Sequence, residues 1–288
     1  MSTSAVHILA NYSMTEALIA DFEAAGISAR ALEPFASRLP LRTDGRALAW
    51  LHILNLAQLK GALKICRRHK VKWMYHWPQE SWITKGDWRR VIIRLTGEFS
   101  KVSHRQDQLH IGTSAMWGEL SAFPDWGKDF KNWPGSIGAI FQRGKERLIK
   151  GYPGQIEYFY DRKVHQLSWS ANEDPPTLPG SAVPLKLILE HGRRRRRLNP
   201  SAAGMVFRCK SLSPADAFQV AGLLGTRLYG WQISAVAPGQ IVHIGRENSA
   251  QFIMLFKGLK ERLKTLKNIE LELQIPIHGG GRHDKNLK

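Results

Sequence analysis

The chain has 288 residues, of which 42 are lysine or arginine and 24 are aspartate or glutamate, so its formal net charge is +18. This length is enough for one large domain or two ordinary ones, each with a packed core. A chain so basic attracts polyanions, of which nucleic acid is the usual one. With only two cysteines the chain cannot be a disulfide scaffold. The sequence contains no uninterrupted apolar segment of about 18 residues, so it predicts no membrane span.

The first 85 residues predict a helical extension. The capping box Ser13-x-x-Glu16 starts one helix, and a repeated leucine pattern predicts a longer helix over residues 46–69. Cys66-x-x-His69 has the spacing of two zinc ligands, but no second pair completes a site, so we predict no metal. Tryptophans alternate with cations over residues 72–90. We favour core packing for most of them over base stacking, with the flanking arginines as better contacts.

After residue 86 a similar order of elements occurs twice, and the proline-rich segment 172–184 separates the two copies. Each copy begins with a short apolar helix, and strands and helices follow. In the first copy the prediction is a helix over 91–95, a strand over 108–114, a helix over 115–131, and strands over 136–142, 155–160 and 164–170. In the second copy it is a helix over 185–189, a strand over 205–209, a helix over 213–228, strands over 230–236 and 240–244, and a helix from 248.

Basic residues cluster beside the predicted strands, most densely in the run Arg193–Arg197. Such a run is usually a solvated tail, but this one stands between a predicted helix and a predicted strand. Strand alternation would expose at least one set of its side chains, so we favour phosphate contact. The predicted strands carry lysine and arginine but few side chains that recognise individual bases. This pattern favours contact with the backbone of a structured RNA. The predicted RNA-binding residues are Arg193, Arg194, Arg195, Arg196, Arg197, Arg143, Lys145, Arg147, Lys150, Arg208, Lys210, Lys101 and Arg105.

Residues 87–258 resemble the LAGLIDADG family of homing endonucleases and maturases. Leu95-Thr96-Gly97-Glu98-Phe99 is similar to the end of the first family motif, and Leu187-Ile188-Leu189-Glu190-His191-Gly192 to the second. The resemblance implies an α+β fold of two pseudo-symmetric αββαββα halves, which form a saddle of antiparallel sheets behind an N-terminal helical extension. Helices ending at Glu98 and His191 would pack side by side. The implied domains are the extension at 1–85, the halves at 86–174 and 175–260, and a basic C-terminal extension at 261–288.

The departures from the family pattern imply that cleavage is lost. His191 is a poor magnesium ligand at one acid position, and only Glu98 remains at the other. We therefore expect no catalytic residue, no metal, no cofactor and no small-molecule substrate. The implied function is a non-enzymatic RNA-binding protein, a structural rRNA-binding component of a mitochondrial or plastid ribosome with ribosomal proteins as neighbours. The alternatives are an intron splicing factor (maturase) and a divergent metal-dependent homing endonuclease.

Overall fold

The computed structural model of the chain divides into two compact units, each assembled from segments that are separate in the sequence. The first unit contains residues 1–31, 49–79 and 90–203, and the second contains residues 32–48, 80–89 and 204–288. The structure describes residues 15–39, 41–42, 44–78, 80, 82–123, 135–142, 152–190, 206–209, 212–236, 241–245, 249–273, 275 and 277–278. Among these residues, no helix has the length and apolar character that a membrane crossing requires.

The helices and strands are named here in chain order. They are α1 (residues 15–24), β1 (Ser28–Ala31), β2 (Ala47–Ile53), α2 (Leu56–Arg68), β3 (Lys72–Tyr75), β4 (Ile83–Thr84), β5 (Trp88–Leu95), β6 (Val102–Arg105), β7 (Gln108–Gly112), α3 (Ile137–Gln142), β8 (Gly154–Tyr160), β9 (Lys163–Trp169), β10 (Val183–Glu190), β11 (Phe207–Cys209), α4 (Pro214–Val220), β12 (Arg227–Leu228), β13 (Trp231–Ile233), β14 (Ile241–His243), α5 (Ser249–Lys267), β15 (Leu271–Leu273) and β16 (Ile277–His278).

A four-stranded sheet in the order β1-β2-β5-β3 lies mainly in the first unit. Strand β1 runs antiparallel to β2, whereas β3 runs parallel to β5. Helix α2 connects β2 to β3. Its N-terminus is capped by the side chain of Asn55, which accepts a hydrogen bond from the N–H of Gln58. The continuous helix predicted over residues 46–69 is therefore wrong, because its first half is the buried strand β2.

The second sheet of the first unit is antiparallel throughout, in the order β6-β7-β10-β8-β9. Strand β10 lies at its centre, with the burial expected of a strand that has neighbours on both edges. One face of the sheet packs into a core that contains Leu109, Ile111, Ile156, Leu187 and Leu189. The turn that follows β7 and the turn at the start of α3 belong to the same unit, so this sheet positions both turns.

The second unit combines small sheets with two helices. Strand β11 pairs antiparallel with β15, β13 lies between β12 and β14, and β4 pairs parallel with β16. Helix α4 begins at the cap Ser213, as predicted, because the Ser213 hydroxyl accepts a hydrogen bond from the N–H of Asp216. Helix α5 contributes Phe252 to the core, where its ring contacts Trp231 edge-on at a centroid distance of 5.0 Å.

The pseudo-symmetric saddle is wrong in its defining elements. The segments predicted as the two family helices, 91–95 and 185–189, lie within strands β5 and β10. These strands belong to different sheets, so the two predicted helices do not form in the described residues and cannot pack side by side. The segment 136–142, predicted as a strand, contains helix α3 instead. The predicted domain boundaries at 85, 174 and 260 also differ from the two units, whose segments are interleaved along the chain.

Replacing Gly45 by alanine is expected to destabilise the second unit. A Cβ at Gly45 would lie 2.0 Å from the carbonyl oxygen of Gly86, and the φ of Gly45 is +89°. The side chain would therefore meet both a backbone clash and a strained conformation, and we expect a loss of about 2–4 kcal/mol in the free energy of unfolding. Chemical denaturation measures this loss. Gly225→Ala is the control, because Gly225 also has a positive φ, +74°, but in the described part of the chain nothing lies within 4 Å of its added Cβ. Equal losses in the two variants would contradict the close approach at Gly45.

Candidate site at two turns of the first unit

Two turns of the first unit meet beyond the end of strand β7. The first is Thr113–Ser114, directly after β7, and the second is Gly135–Gly138, whose last two residues are the start of α3. The N–H of Gly138 donates to the carbonyl oxygen of Thr113 at 2.9 Å, and the N–H of Trp117 donates to that of Gly135 at 3.2 Å. The N–H of Thr113 donates to the carbonyl oxygen of Leu185 in β10 at 3.0 Å. The central strand therefore fixes the first turn, and the first turn fixes the second.

Three side-chain hydroxyls in these turns are buried and have no hydrogen-bond partner within the part of the chain that the structure describes. They belong to Thr113, Ser114 and Ser136, whose relative exposures are 0%, 4% and 0%. A buried hydroxyl without a partner costs about 1–3 kcal/mol, so such groups are normally paired. Three of them in two adjoining turns indicate a ligand with several acceptor oxygens, such as a phosphate or diphosphate. We call Thr113, Ser114, Gly135, Ser136 and Gly138 the hydroxyl cradle.

The two glycines of the hydroxyl cradle are required for different reasons. Gly135 has a φ of +82°, a left-handed conformation that favours glycine. At Gly138 the reason is a close approach, because an added Cβ would lie 2.3 Å from Cε3 and 2.4 Å from Cζ3 of Trp77. The indole of Trp77, which is 1% exposed, therefore lies directly against the backbone of the cradle.

Aromatic residues around the end of β3 hold this indole in place. Tyr75 stacks on Trp77, with ring centroids 5.9 Å apart and an interplanar angle of 23°. The intervening residue, His76, packs edge-on against Trp50 at 5.1 Å, and its N–H donates to the carbonyl oxygen of Ile93 at 2.9 Å. The backbone that carries Trp77 is thus attached to the four-stranded sheet. Burial of Trp77 and Trp82 agrees with the core packing favoured for tryptophans of residues 72–90.

Glu98, predicted at a degenerate catalytic position, has a structural partner instead. It lies in a 3₁₀ turn over Gly97–Ser100, and its Oε1 accepts a hydrogen bond from the N–H of Leu56 at 2.6 Å. Leu56 is the first residue of α2, so Glu98 satisfies a free donor at a helix N-terminus. His191, the other predicted acid position, lies outside the described residues.

The predicted RNA-binding cations are only partly described. Lys101, Arg105 and Arg208 are exposed, the first two in the first unit and the third in the second. Arg208 lies in β11 opposite Glu272 of β15. None of the three belongs to the hydroxyl cradle, and their part in binding an anion stays a prediction. Outside the described residues lie Arg143, Lys145, Arg147, Lys150, Arg193, Arg194, Arg195, Arg196, Arg197 and Lys210.

Cys66 and His69, the pair considered as zinc ligands, have other environments. Burial raises the pKa of the Cys66 thiol to about 12, which opposes the thiolate that a metal needs. The Nε2 of His69 is hydrogen-bonded to a carboxylate oxygen of Asp21, and this bond is the main reason that the pKa of Asp21 is lowered. Within the described ranges, no three His, Cys, Asp or Glu residues are grouped so that they could hold a metal ion.

Comparison with known proteins identifies the fold. No family model matches the chain. The UDP-N-acetylenolpyruvoylglucosamine reductase of Alkaliphilus oremlandii is 23% identical over 283 residues, which cover 86% of this chain and 92% of the relative. UDP-N-acetylenolpyruvoylglucosamine reductase 1 of Bacillus cereus is 22% identical over 282 residues, with coverages of 86% and 93%. The crystal structure of UDP-N-acetylenolpyruvylglucosamine reductase from Thermus caldophilus matches 88% of this chain and 99% of its own, with a TM-score of 0.59 at 14% identity. The chain has the fold of that reductase.

These findings overturn the interpretation that followed from the LAGLIDADG resemblance. The family and the saddle fold are wrong, because the chain has a reductase fold. The ribosomal function, the splicing and endonuclease alternatives, the RNA and ribosomal-protein partners and the mitochondrial or plastid location are wrong with it. The expectations that the protein is not an enzyme and has no small-molecule substrate are also wrong. The curated relatives are bacterial proteins named as reductases of a nucleotide-linked sugar. An order of short strands and helices does not identify a fold by itself.

The hydroxyl cradle is absent from the predictions made from the sequence. Its available signal is two stretches in which glycine stands beside a small hydroxyl residue, Gly112-Thr113-Ser114 and Gly135-Ser136-Ile137-Gly138. Glycines beside small residues are typical of turns whose backbone approaches a phosphate. The strands predicted over 108–114 and 136–142 obscure this signal, because they place all three hydroxyl residues inside strands.

Thr113→Val and Ser136→Ala are each expected to stabilise the ligand-free protein by about 1 kcal/mol. Each change removes a buried hydroxyl that has no partner in the described structure, so its desolvation cost disappears. Denaturant titration of each variant checks this. Ser249→Ala is the control, because the Ser249 hydroxyl donates to Asp44 and its loss should destabilise the chain. Destabilisation at Thr113 and Ser136 would mean that these hydroxyls have protein partners and mark no ligand site.

A double-mutant cycle is expected to show coupling between Gly138 and Trp77. Gly138→Ala alone should lower the free energy of unfolding by about 1–3 kcal/mol, because the new methyl group meets the indole. In a Trp77→Leu background the same change should cost at least about 1 kcal/mol less. The matched control is Gly135→Ala, for which no atom of the described residues lies within 4 Å of the added Cβ. That change should cost the same in both backgrounds. Equal costs for Gly138→Ala would place the indole elsewhere.

Proposed function

We propose that the protein is a reductase of the UDP-N-acetylenolpyruvoylglucosamine reductase type, which reduces the carbon–carbon double bond of an enolpyruvyl group on a UDP-linked sugar. The observation that carries the proposal is the length of the correspondence. Both curated relatives align with 86% of this chain and with 92% and 93% of their own lengths. A chain that shared only a single domain with them would match a smaller part of each.

The charge of the chain supports a small anionic substrate. A UDP-linked sugar carries a diphosphate, and NADPH, the reductant of such reductases, carries three phosphate groups. A net charge of +18 raises the local concentration of both molecules near the protein. The attraction to polyanions inferred from composition therefore remains useful, with a nucleotide-linked sugar in place of RNA.

Reductases of this fold use FAD as their redox group, and the hydroxyl cradle provides a test of whether this chain suits it. The hydroxyls of Thr113, Ser114 and Ser136 would hold the diphosphate, because they are buried donors without protein partners in the described structure. Gly135 and Gly138 let the backbone come close to such a group. The donor set thus fits a diphosphate, and Trp77 is the residue that lies against the cradle. Once reduced by NADPH, a bound FAD would supply a hydride to the double bond, and a proton would complete the reduction.

Purified protein supplied with FAD, NADPH and UDP-N-acetylenolpyruvoylglucosamine is expected to oxidise NADPH only while the sugar is present. The absorbance of NADPH measures the rate, and mass spectrometry of the sugar detects the added hydrogens. A variant with Thr113→Val, Ser114→Ala and Ser136→Ala together should bind FAD at least about a hundredfold more weakly, because hydrogen bonds to charged groups contribute about 1.5–3 kcal/mol each.

The control for this variant is Ser168→Ala, which removes an exposed hydroxyl from the same unit and should leave FAD binding unchanged. Oxidation of NADPH that is absent or independent of the sugar, in protein that is folded and loaded with flavin, would refute the proposed reaction. Unchanged FAD binding in the triple variant would leave the proposed reaction standing but would show that the cradle is not the FAD site.

A further inference from the structure

Trp77 covers part of the hydroxyl cradle. Its ring atoms Cε3, Cζ3 and Cδ2 would lie 2.3–2.6 Å from a Cβ placed on Gly138. The N–H of the same glycine bonds to Thr113, so the indole lies on the backbone that joins the two turns. The hydroxyls of Thr113 and Ser136 are buried in this arrangement. A ligand that meets these hydroxyls must therefore displace the groups that now cover them.

The connection that carries Trp77 is unlike a dinucleotide-binding loop. No glycine occurs between Gly61 and Gly86, so the chain that leaves β3 has no residue without a side chain. Glycine is normally needed where backbone approaches a diphosphate, because any Cβ would hold the phosphates away. Here the connection presents a buried indole to the cradle, and Tyr75 stacks on that indole.

On the basis of the proposed function, we infer that Trp77 is a plug: its indole fills part of the dinucleotide site in the free protein, and FAD binds only after the indole has left Gly138. When the indole moves, its stacking on Tyr75 is lost. A site that is open only part of the time has an apparent affinity equal to the affinity of the open site multiplied by the fraction of molecules that are open. The plug therefore sets how tightly the chain holds FAD, without touching the reacting atoms.

The test compares FAD binding by the wild-type chain and by plug variants, with the full chain labelled with 5-fluorotryptophan. Trp77→Leu removes the indole, and Trp77→Phe retains an aromatic ring of smaller size in case the leucine variant does not fold. The fluorine resonance of Trp77 is assigned by its loss in Trp77→Phe. Trp231→Phe is the matched control, because Trp231 is equally buried but belongs to the second unit.

The expected result is that wild-type protein binds FAD weakly and that the Trp77 resonance shifts to a solvent-exposed position on binding. Both plug variants should bind FAD at least about tenfold more tightly than wild type, and Trp231→Phe should not. If only the plug variants bind FAD, the inference holds and the reductase function of the natural chain fails. If wild type and variants bind equally and the resonance does not move, the plug is wrong and the function stands. Binding by none of them would overturn both.

Discussion

Strand β10 is the element on which the first unit and its candidate site depend. Hydrogen bonds to β7 on one edge and β8 on the other make it the centre of the five-stranded sheet. The carbonyl oxygen of Leu185 also accepts from Thr113, so the same strand fixes the turn that carries two of the three cradle hydroxyls. A shift of β10 by one residue would reverse which side chains face the core and would move this turn as well. Sheet and site are therefore coupled through a single strand.

The burial that makes β10 central also conceals it in the sequence. A strand covered on both faces has no alternation of apolar and polar residues, and a short apolar run is then compatible with a helix or a strand. This ambiguity produced the wrong helices at 91–95 and 185–189, and with them the wrong family. Elements with local signals were predicted correctly. The serine cap of α4, the half-buried strand β8 and the start of α5 each depend on residues close in sequence.

The site could not be predicted for a different reason. Thr113, Ser114 and Ser136 are ordinary residue types, and only their burial without partners in the described structure distinguishes them. Burial is a property of the folded chain, and it depends on contacts between segments far apart in sequence. The charge of +18 predicted a polyanionic partner but did not say which one, because Coulomb attraction does not distinguish RNA from a diphosphate. The chemical identity of the partner came from fold and full-length similarity.

In the closed form, the indole of Trp77 lies against Gly138 and the cradle hydroxyls are buried. Trp77 and these hydroxyls have opposite effects on the stability of this form. Burial of a large aromatic side chain stabilises that form by about 2–3 kcal/mol. Each cradle hydroxyl that has no partner among the described residues destabilises it by about 1–3 kcal/mol, and the cradle has three such hydroxyls. Because these penalties offset the gain from burying the indole, the closed form is less favoured over one in which the indole has moved than burial alone would make it. A diphosphate that satisfies the hydroxyls removes the destabilising contribution only in the open form. The unpartnered hydroxyls are thus what allows a ligand to displace a well-buried tryptophan.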